Sequence, residues 1–349
     1  MHIADALISP AVGGTMYAAS TALIVYASKK IKNEMESSKI PVMGVMGAFI
    51  FAAQMINFTI PATGSSGHLG GGLILSIILG PYAAFLTIAS VLIIQALFFA
   101  DGGLLALGCN IFNLGLFPCF ICYPFIFKKL MNGSFSKMKL FSSSILAAVI
   151  GLQLGAFSVV MQTVLSGISE LPFNKFVLLM QPIHLAIGVV EGLATAAVTL
   201  FIHNTQPELL ESELTSAKSA GLSYKKVLVA MTILAVITGG MISWFASAHP
   251  DGLEWAMFKT TGSEELKAPQ DGVHGFLAGI QEKTSFLPDY DFKAEPAAAG
   301  ATAEQEVETW PAVKGGTTFS GITGGVLTLV LALIVGFIFK KRKVVELVK

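Results

Sequence analysis

Long runs of apolar residues follow one another along the chain, each close to the ~20 residues a helix needs to cross a bilayer. By that ruler nine stretches qualify, near 10–28, 41–60, 69–80, 82–100, 109–127, 140–165, 176–202, 226–246 and 319–339. The third is short, rich in glycine and followed by Gly80-Pro81, which predicts a tight pair with the fourth. The polar breaks between runs differ in charge. Lysines cluster after the first run (Lys29, Lys30, Lys32, Lys39), the fifth (Lys128, Lys129, Lys137, Lys139) and the seventh (Lys218, Lys225, Lys226), and Lys340, Lys341, Arg342 and Lys343 follow the ninth. Alternation through nine spans puts all four clusters on one face, which an excess of lysine and arginine assigns to the cytoplasm. The predicted protein is a multi-pass component of the cell membrane with its N-terminus outside and its C-terminus inside.

The same pattern divides the chain. Residues 1–202 hold seven spans; 203–225, polar and bearing Glu208, Glu211 and Glu213, form a cytoplasmic linker; 226–349 hold two more spans around an outer segment, 247–318. That segment carries Pro250-Asp251-Gly252-Leu253-Glu254, then Phe286-Leu287-Pro288-Asp289-Tyr290, then an alanine- and acid-rich run from Glu295 to Glu308, and reads as a solvated domain or an ordered loop, with little core of its own.

Composition agrees with the fold class. The 349 residues are 54% hydrophobic and 13% charged, with mean hydropathy +0.72, too apolar for a soluble globular domain. Net charge is zero and Arg342 is the only arginine, so nucleic-acid binding is excluded. The first ten residues lack the charged start of a secretory signal. Three cysteines, Cys109, Cys119 and Cys122, offer no disulfide framework and read as packing residues of one span.

Chemistry concentrates at the start, Met1-His2-Ile3-Ala4-Asp5. An α-amine, the amide of residue 2 and its imidazole form a chelating series that closes five- and six-membered rings, and it suits Ni(II), Cu(II) or Co(II). His2 is bulky, which favours retention of Met1 and so of the amine. One position of a square stays open. His68, within Thr63-Gly64-Ser65-Ser66-Gly67-His68-Leu69-Gly70, is the candidate for it, because glycines let backbone approach closely. The span count places both histidines on the outer face, with the loop from Ala100-Asp101-Gly102-Gly103 to Gly108, a tight structured turn. Polar side chains inside spans are costly and call for a role: Gln54, Asn57, Gln95, Asn110 and Asn113 suit interhelical hydrogen bonds, and His184 and Glu191, seven apart, share one helix face as a structural pair or a relay. Gly44, Gly47, Gly188 and Gly192 suit close helix packing, while His203, His249 and His274 lie in polar stretches and are expected to be solvated. No nucleophile-and-base motif and no phosphate loop appears, so no enzyme is predicted. The competing reading is a membrane redox or haem protein with His68 and His184 as axial ligands.

Several stretches together resemble one family. Met1-His2-Ile3 with Asp5, Gly64-Ser65-Ser66-Gly67-His68-Leu69, Gln95 to Gly103 running on to Gly108-Cys109-Asn110, and His184-Leu185-Ala186-Ile187-Gly188 with Glu191-Gly192 are similar to the cobalt/nickel permease (CbiM/NikM) family, the substrate-binding components of energy-coupling-factor ABC transporters. The tail, with Pro250-Asp251-Gly252-Leu253-Glu254, resembles the small partner subunit (NikN, or PDGLE, type) fused to the permease. The resemblance implies a metal site made by the amine of Met1, the amide and imidazole of His2, and His68. It implies Ni2+ or Co2+ as transported substrate, with the fused tail favouring nickel, and no organic cofactor. It also implies a transmembrane coupling subunit and a pair of ATPases as partners beside the membrane lipid. The chain departs from the family at Asp5-Ala6, where glycine often follows the aspartate.

Overall fold

The computed structural model of the protein describes residues 2–34, 39–133, 135–208, 210, 224–293 and 310–339. Met1, Glu211, Glu213 and Lys218 of the polar stretch, the run from Glu295 to Glu308, and Lys340, Lys341, Arg342 and Lys343 lie outside the described residues.

The described chain is almost wholly helical. After a 3-10 turn at Asp5–Leu7 come α1 (Pro10–Glu34) and α2 (Ile40–Gln54), a short hairpin of β1 (Phe58–Ile60) and β2 (Ser65–Gly67), then α3 (Gly72–Leu79) and α4 (Pro81–Phe98). A long apolar helix follows, α5 (Leu107–Leu130), wound more widely through Phe112–Phe127, where Pro118 and Pro124 each remove a backbone donor. The two longest helices are α6 (Lys137–Ser166) and α7 (Phe173–Thr205); α8 (Lys225–Gly240), α9 (Gly252–Thr261), α10 (Gly272–Thr284) and α11 (Gly315–Ile338) complete the chain.

Among the described residues five helices, α4, α5, α6, α7 and α11, are long and apolar enough to cross a membrane, and α2 is apolar but shorter. The stretch 69–80 is short, as expected of one that pairs tightly with the next. Its helix has eight residues, about 12 Å at 1.5 Å per residue, and cannot cross a core of ~30 Å by itself. Gly71 and Gly80, both at positive φ, bound it, and Pro81 starts α4, so α3 and α4 pack as a broken pair. Irregular backbone among apolar helices survives only where protein satisfies its polar groups. Here Glu191 of α7 does so, accepting the N–H groups of Gly70 at 2.9 Å and Gly71 at 3.0 Å.

Close helix contact follows from small residues. A Cβ at Gly188 would lie 2.8 Å from the Val149 Cα, and one at Gly192 would strike the Ile145 backbone, so α6 and α7 touch backbone to backbone. Gly44 and Gly47 of α2 receive Leu333 and Thr328 of α11 in the same way. The last two long helices thus pack on α2, with α11 also against α4. Their outward faces, Val229, Ile233 and Val236 on α8 and Val326, Val330 and Ile334 on α11, are exposed apolar stripes suited to lipid.

The segment after α8 is not a separate solvated region. Leu253, Ala256 and Met257 of α9 and Leu287 are buried, α9 lies on α7 and β2, and α10 lies on α4. It forms a cover over the end of the bundle where the chain begins. His274, expected to be solvated, is buried there and donates Nε2–H to the Ile8 carbonyl at 2.9 Å. His203 stacks on Phe135 with ring centroids 3.8 Å apart, and His249 alone of the three is exposed.

Candidate metal site

Residues 2–9 enter the mouth of the bundle as a peptide held by its backbone. Asn110 of α5 takes both sides of Ile3, accepting its N–H at 2.8 Å and donating to its carbonyl at 3.2 Å, while the N–H of Gly103 donates to the same carbonyl at 2.9 Å. Asp5 Oδ1 accepts the N–H of Ala106 at 2.9 Å. Gly102 has φ +82°, and any Cβ on Gly103 would collide with Asp5, so the loop 100–106 needs glycine at both positions to lie this close. Ile3, Leu7 and Ile8 are fully buried beneath it.

This anchoring brings His2 against His68. The two rings stack with centroids 4.9 Å apart and an interplanar angle of 11°. Each has a carboxylate beside it. His2 Nδ1 lies 2.8 Å from Asp101 Oδ1, and His68 Nε2 lies 4.0 Å from Asp251 Oδ2. His68 Nδ1 donates to the Leu69 carbonyl at 3.1 Å, which leaves the ring lone pair on Nε2. Burial pushes the His68 imidazole down to about 3, so it is neutral and fit to act as a ligand at any physiological pH. Burial opposes ionisation of Asp101 too, but the His2 imidazole at its side more than offsets this and holds the carboxyl well below the usual carboxylate range. The other oxygen of Asp101 accepts the hydroxyl of Tyr290, to which Gln95 Nε2 donates in turn at 3.1 Å.

Asp251 comes from the cover. It caps α9, accepting the N–H groups of Leu253 at 2.7 Å and Glu254 at 2.9 Å, while Glu254 reaches back to the Asp251 N–H at 2.8 Å. The strand edge of β2 fixes this cap in place, because Ser66 donates its N–H to the Pro250 carbonyl at 2.8 Å and its hydroxyl to the His249 carbonyl at 2.7 Å. Around the two histidines opens a cavity of about 450 Å³. Asp5, Asp101, Asp251, Glu254, Glu264, Glu265 and Asp289 line it, with no lysine or arginine among the described lining residues. An enclosed lining of one sign concentrates counter-ions, here cations.

Among the described residues no group of three or more His, Cys, Asp or Glu side chains is arranged to hold a metal. A metal site at His2 and His68 would therefore have to draw on main-chain nitrogen. Asp101, Asp251 and Tyr290 were not singled out as site residues from sequence. Asp101 and Asp251 lie in stretches that carry the family resemblance, and Asp251 and Glu254 have capping-box spacing, but nothing local marks either aspartate or Tyr290 as a site residue. His184 is buried on α7 and meets the cover at Gly252, where a Cβ would lie 3.1 Å from His184 Cε1. It shares with His68 a cavity of about 10 Å³, room for one water molecule. As the two histidines stand, that space is far too small for a porphyrin. Asn113 bonds Gln162 across helices at 2.8 Å, as the apolar setting predicts, and the three cysteines are buried and unpaired.

The fold and this acid-lined mouth with its paired imidazoles define a polytopic membrane protein with a cation-attracting site at one end of its bundle. The chain belongs to the CbiM family: the family model described as the cobalt uptake substrate-specific transmembrane region matches residues 2–209, and a PDGLE domain model matches 225–341. Among its relatives, the fused nickel transport protein NikMN of Rhodobacter capsulatus is 28% identical over 313 residues, covering 83% of this chain and 88% of that one. The cobalt transport protein CbiM of Geobacter sulfurreducens is 25% identical over 287 residues, 78% of this chain and 80% of that one. A crystal structure of a transition metal transporter, 28% identical, covers 63% of this chain and all of its own, with a TM-score of 0.53.

Proposed function

We propose that this chain captures Ni2+ or Co2+ at the outer face of the cell membrane and passes it inward, as the substrate-specific subunit of an ATP-driven importer. A transmembrane coupling subunit and a pair of ATPases on other chains supply the energy. The ligands are the amine of Met1, the amide and Nδ1 of His2, and His68. The observation that carries this reading is the stacking of His2 on His68, 66 positions apart in the chain, inside an acid-lined cavity.

His2 Nδ1 faces Asp101, and Nε2 is buried with no hydrogen-bond partner among the described residues. A six-membered ring through the His2 amide needs Nδ1. Coordination through Nδ1 therefore gives up the Nδ1 contact with Asp101, and the carboxylate is left beside the ring. Asp101, steadied by Tyr290, then orients a bound imidazole as outer carboxylates do at metal sites. The fused relatives are named nickel transport proteins, which favours nickel as the substrate here.

The test is a single residue added before Met1 and shown to remain on the chain. It turns the amine into an amide and moves histidine to position 3. Uptake of radioactive nickel should fail while the amount of protein in the membrane stays normal, and a tag after Lys349 should do no harm. His68→Ala, which removes one of four donors, should likewise abolish uptake at low metal concentration. Uptake at the wild-type rate by the extended chain would show that Met1 and His2 are ordinary terminal residues.

A further inference from the structure

Below the two stacked imidazoles the structure holds a third histidine whose chemistry is not used by capture. His184 is 1% exposed. Its Nδ1 donates to the Met180 carbonyl at 2.8 Å, which leaves the lone pair on Nε2, and Nε2 is buried with no hydrogen-bond partner among the described residues. An unpaired ring nitrogen in an apolar helix costs free energy that a phenylalanine would not. A histidine whose other nitrogen is fixed by a carbonyl is also the form in which the residue binds metals.

The surroundings place this nitrogen on a route. The large outer cavity and the first inner cavity share His68 and Asp251 as lining residues. The first inner cavity is lined by His184, and it shares Gly70, Leu114 and Leu152 with a second, of about 20 Å³, that is lined by Glu191 and Asn113. His184 and Glu191 lie on one face of α7, and the glycine-rich loop packs along that face. A Cβ on Gly67 would lie 2.5 Å from the Ile187 side chain, and one on Gly70 would lie 3.1 Å from Glu191 Oε2. Gly252 leaves the space beside His184 open for the same reason. Donor groups therefore descend in order, His68, His184, Glu191, along a line of small cavities that glycine keeps from filling.

We infer that His184 Nε2 is an inner binding position for a divalent first-row cation that accepts imidazole nitrogen, reached after capture and before release. The inference rests on the capture reading above. The ion leaves the main-chain chelate for His68 and His184 together, and then moves toward the Glu191 cavity. Borderline metals such as Ni2+ and Co2+ accept each of these donors.

The test separates holding the metal from moving it. Purified chain is measured for Ni2+ affinity by equilibrium dialysis, and radioactive nickel uptake is measured in cells carrying the complete transporter. His184→Gln keeps the volume and can still donate to the Met180 carbonyl, but has no imidazole lone pair. Its Ni2+ affinity should stay within about twofold of wild type, its membrane abundance should be normal, and its uptake should fall tenfold or more. Uptake within twofold of wild type would overturn the inner site, because a merely structural histidine is the one that glutamine replaces. Loss of affinity together with uptake would overturn it as well, by making His184 part of the capture site. If His184→Gln does not accumulate in the membrane, Gly252→Ala gives the same reading by narrowing the first cavity: retained affinity with lost uptake supports the route, and unchanged uptake sinks it. Failure of the wild-type chain to bind Ni2+ at all would instead refute the capture reading.

Discussion

At the scale of single residues, His68 is a histidine whose protonation is set by where it sits. His68 titrates in an unfolded chain near ~6.5, and burial pushes it down to about 3 in the fold. Between those values the unfolded chain takes up a proton that the folded chain refuses, so this residue makes the metal-free protein less stable as pH falls from about 6.5 toward 3. His68→Ala removes that dependence. In thermal melts of metal-free protein in detergent, wild type should lose melting temperature on going from pH 7 to pH 5 more steeply than His68→Ala does. Parallel curves would mean that His68 is not held neutral. The same neutrality has a use, since a ligand that carries no proton at pH 5 to 7 presents none for the metal to displace.

At the scale of elements, the short α3 and the loop before it show how an irregular segment is kept inside an apolar bundle. Its first N–H groups, on Gly70 and Gly71, end on the Glu191 carboxylate, and its carbonyl at Gly70 accepts Gln54 Nε2 at 2.8 Å. Two buried donors left without an acceptor cost roughly 1–3 kcal/mol each. Glu191→Ala should therefore lower the melting temperature by roughly 5 °C or more, and Glu191→Gln, which retains one acceptor oxygen, by less. An alanine variant as stable as wild type would mean that both N–H groups have other partners. Much of this level was legible beforehand. The long apolar runs announced the long helices, Gly80-Pro81 announced the break after α3, and the spacing of His184 and Glu191 put them on one face. What was not legible depends on pairing between distant parts of the chain. Nothing local distinguishes Asp101 from an ordinary loop acid, or Asp251 from an ordinary helix cap, until the fold sets them beside His2 and His68. The 247–318 segment looked solvated because its apolar residues are sparse and irregularly spaced, yet Leu253, Met257 and Leu287 suffice to seat it on the bundle.

At the scale of the whole molecule, the site and the described lysines of the first two clusters lie at opposite ends of the helices. α1 begins beside the site at Pro10 and finishes near Lys29, Lys30 and Lys32, 25 residues being about 37 Å of helix. The proposed topology, which assigns the lysine-rich end to the cytoplasm, turns the acid-lined mouth outward. Single cysteines test this against a low background, because Cys109, Cys119 and Cys122 are buried. A cysteine at exposed Lys267, between α9 and α10, should react with a membrane-impermeant maleimide in intact cells, and one at exposed Lys129, at the end of α5, only after permeabilisation. Labelling of position 129 in intact cells would invert the topology and remove the outward site.

The hydrogen bonds from Ser66 to Pro250 and His249 have one more consequence. They act with the buried Leu253, Met257 and Leu287, and between separate polypeptides at cellular levels such a contact would be populated only in proportion to the partner's abundance. On one chain the same contact closes intramolecularly, at an effective concentration that flexible tethers raise into the millimolar range. Association of the cover with the site then follows first-order kinetics. Occupancy of the closed state becomes independent of expression level and stoichiometry, so that every copy of the permease carries its own cover.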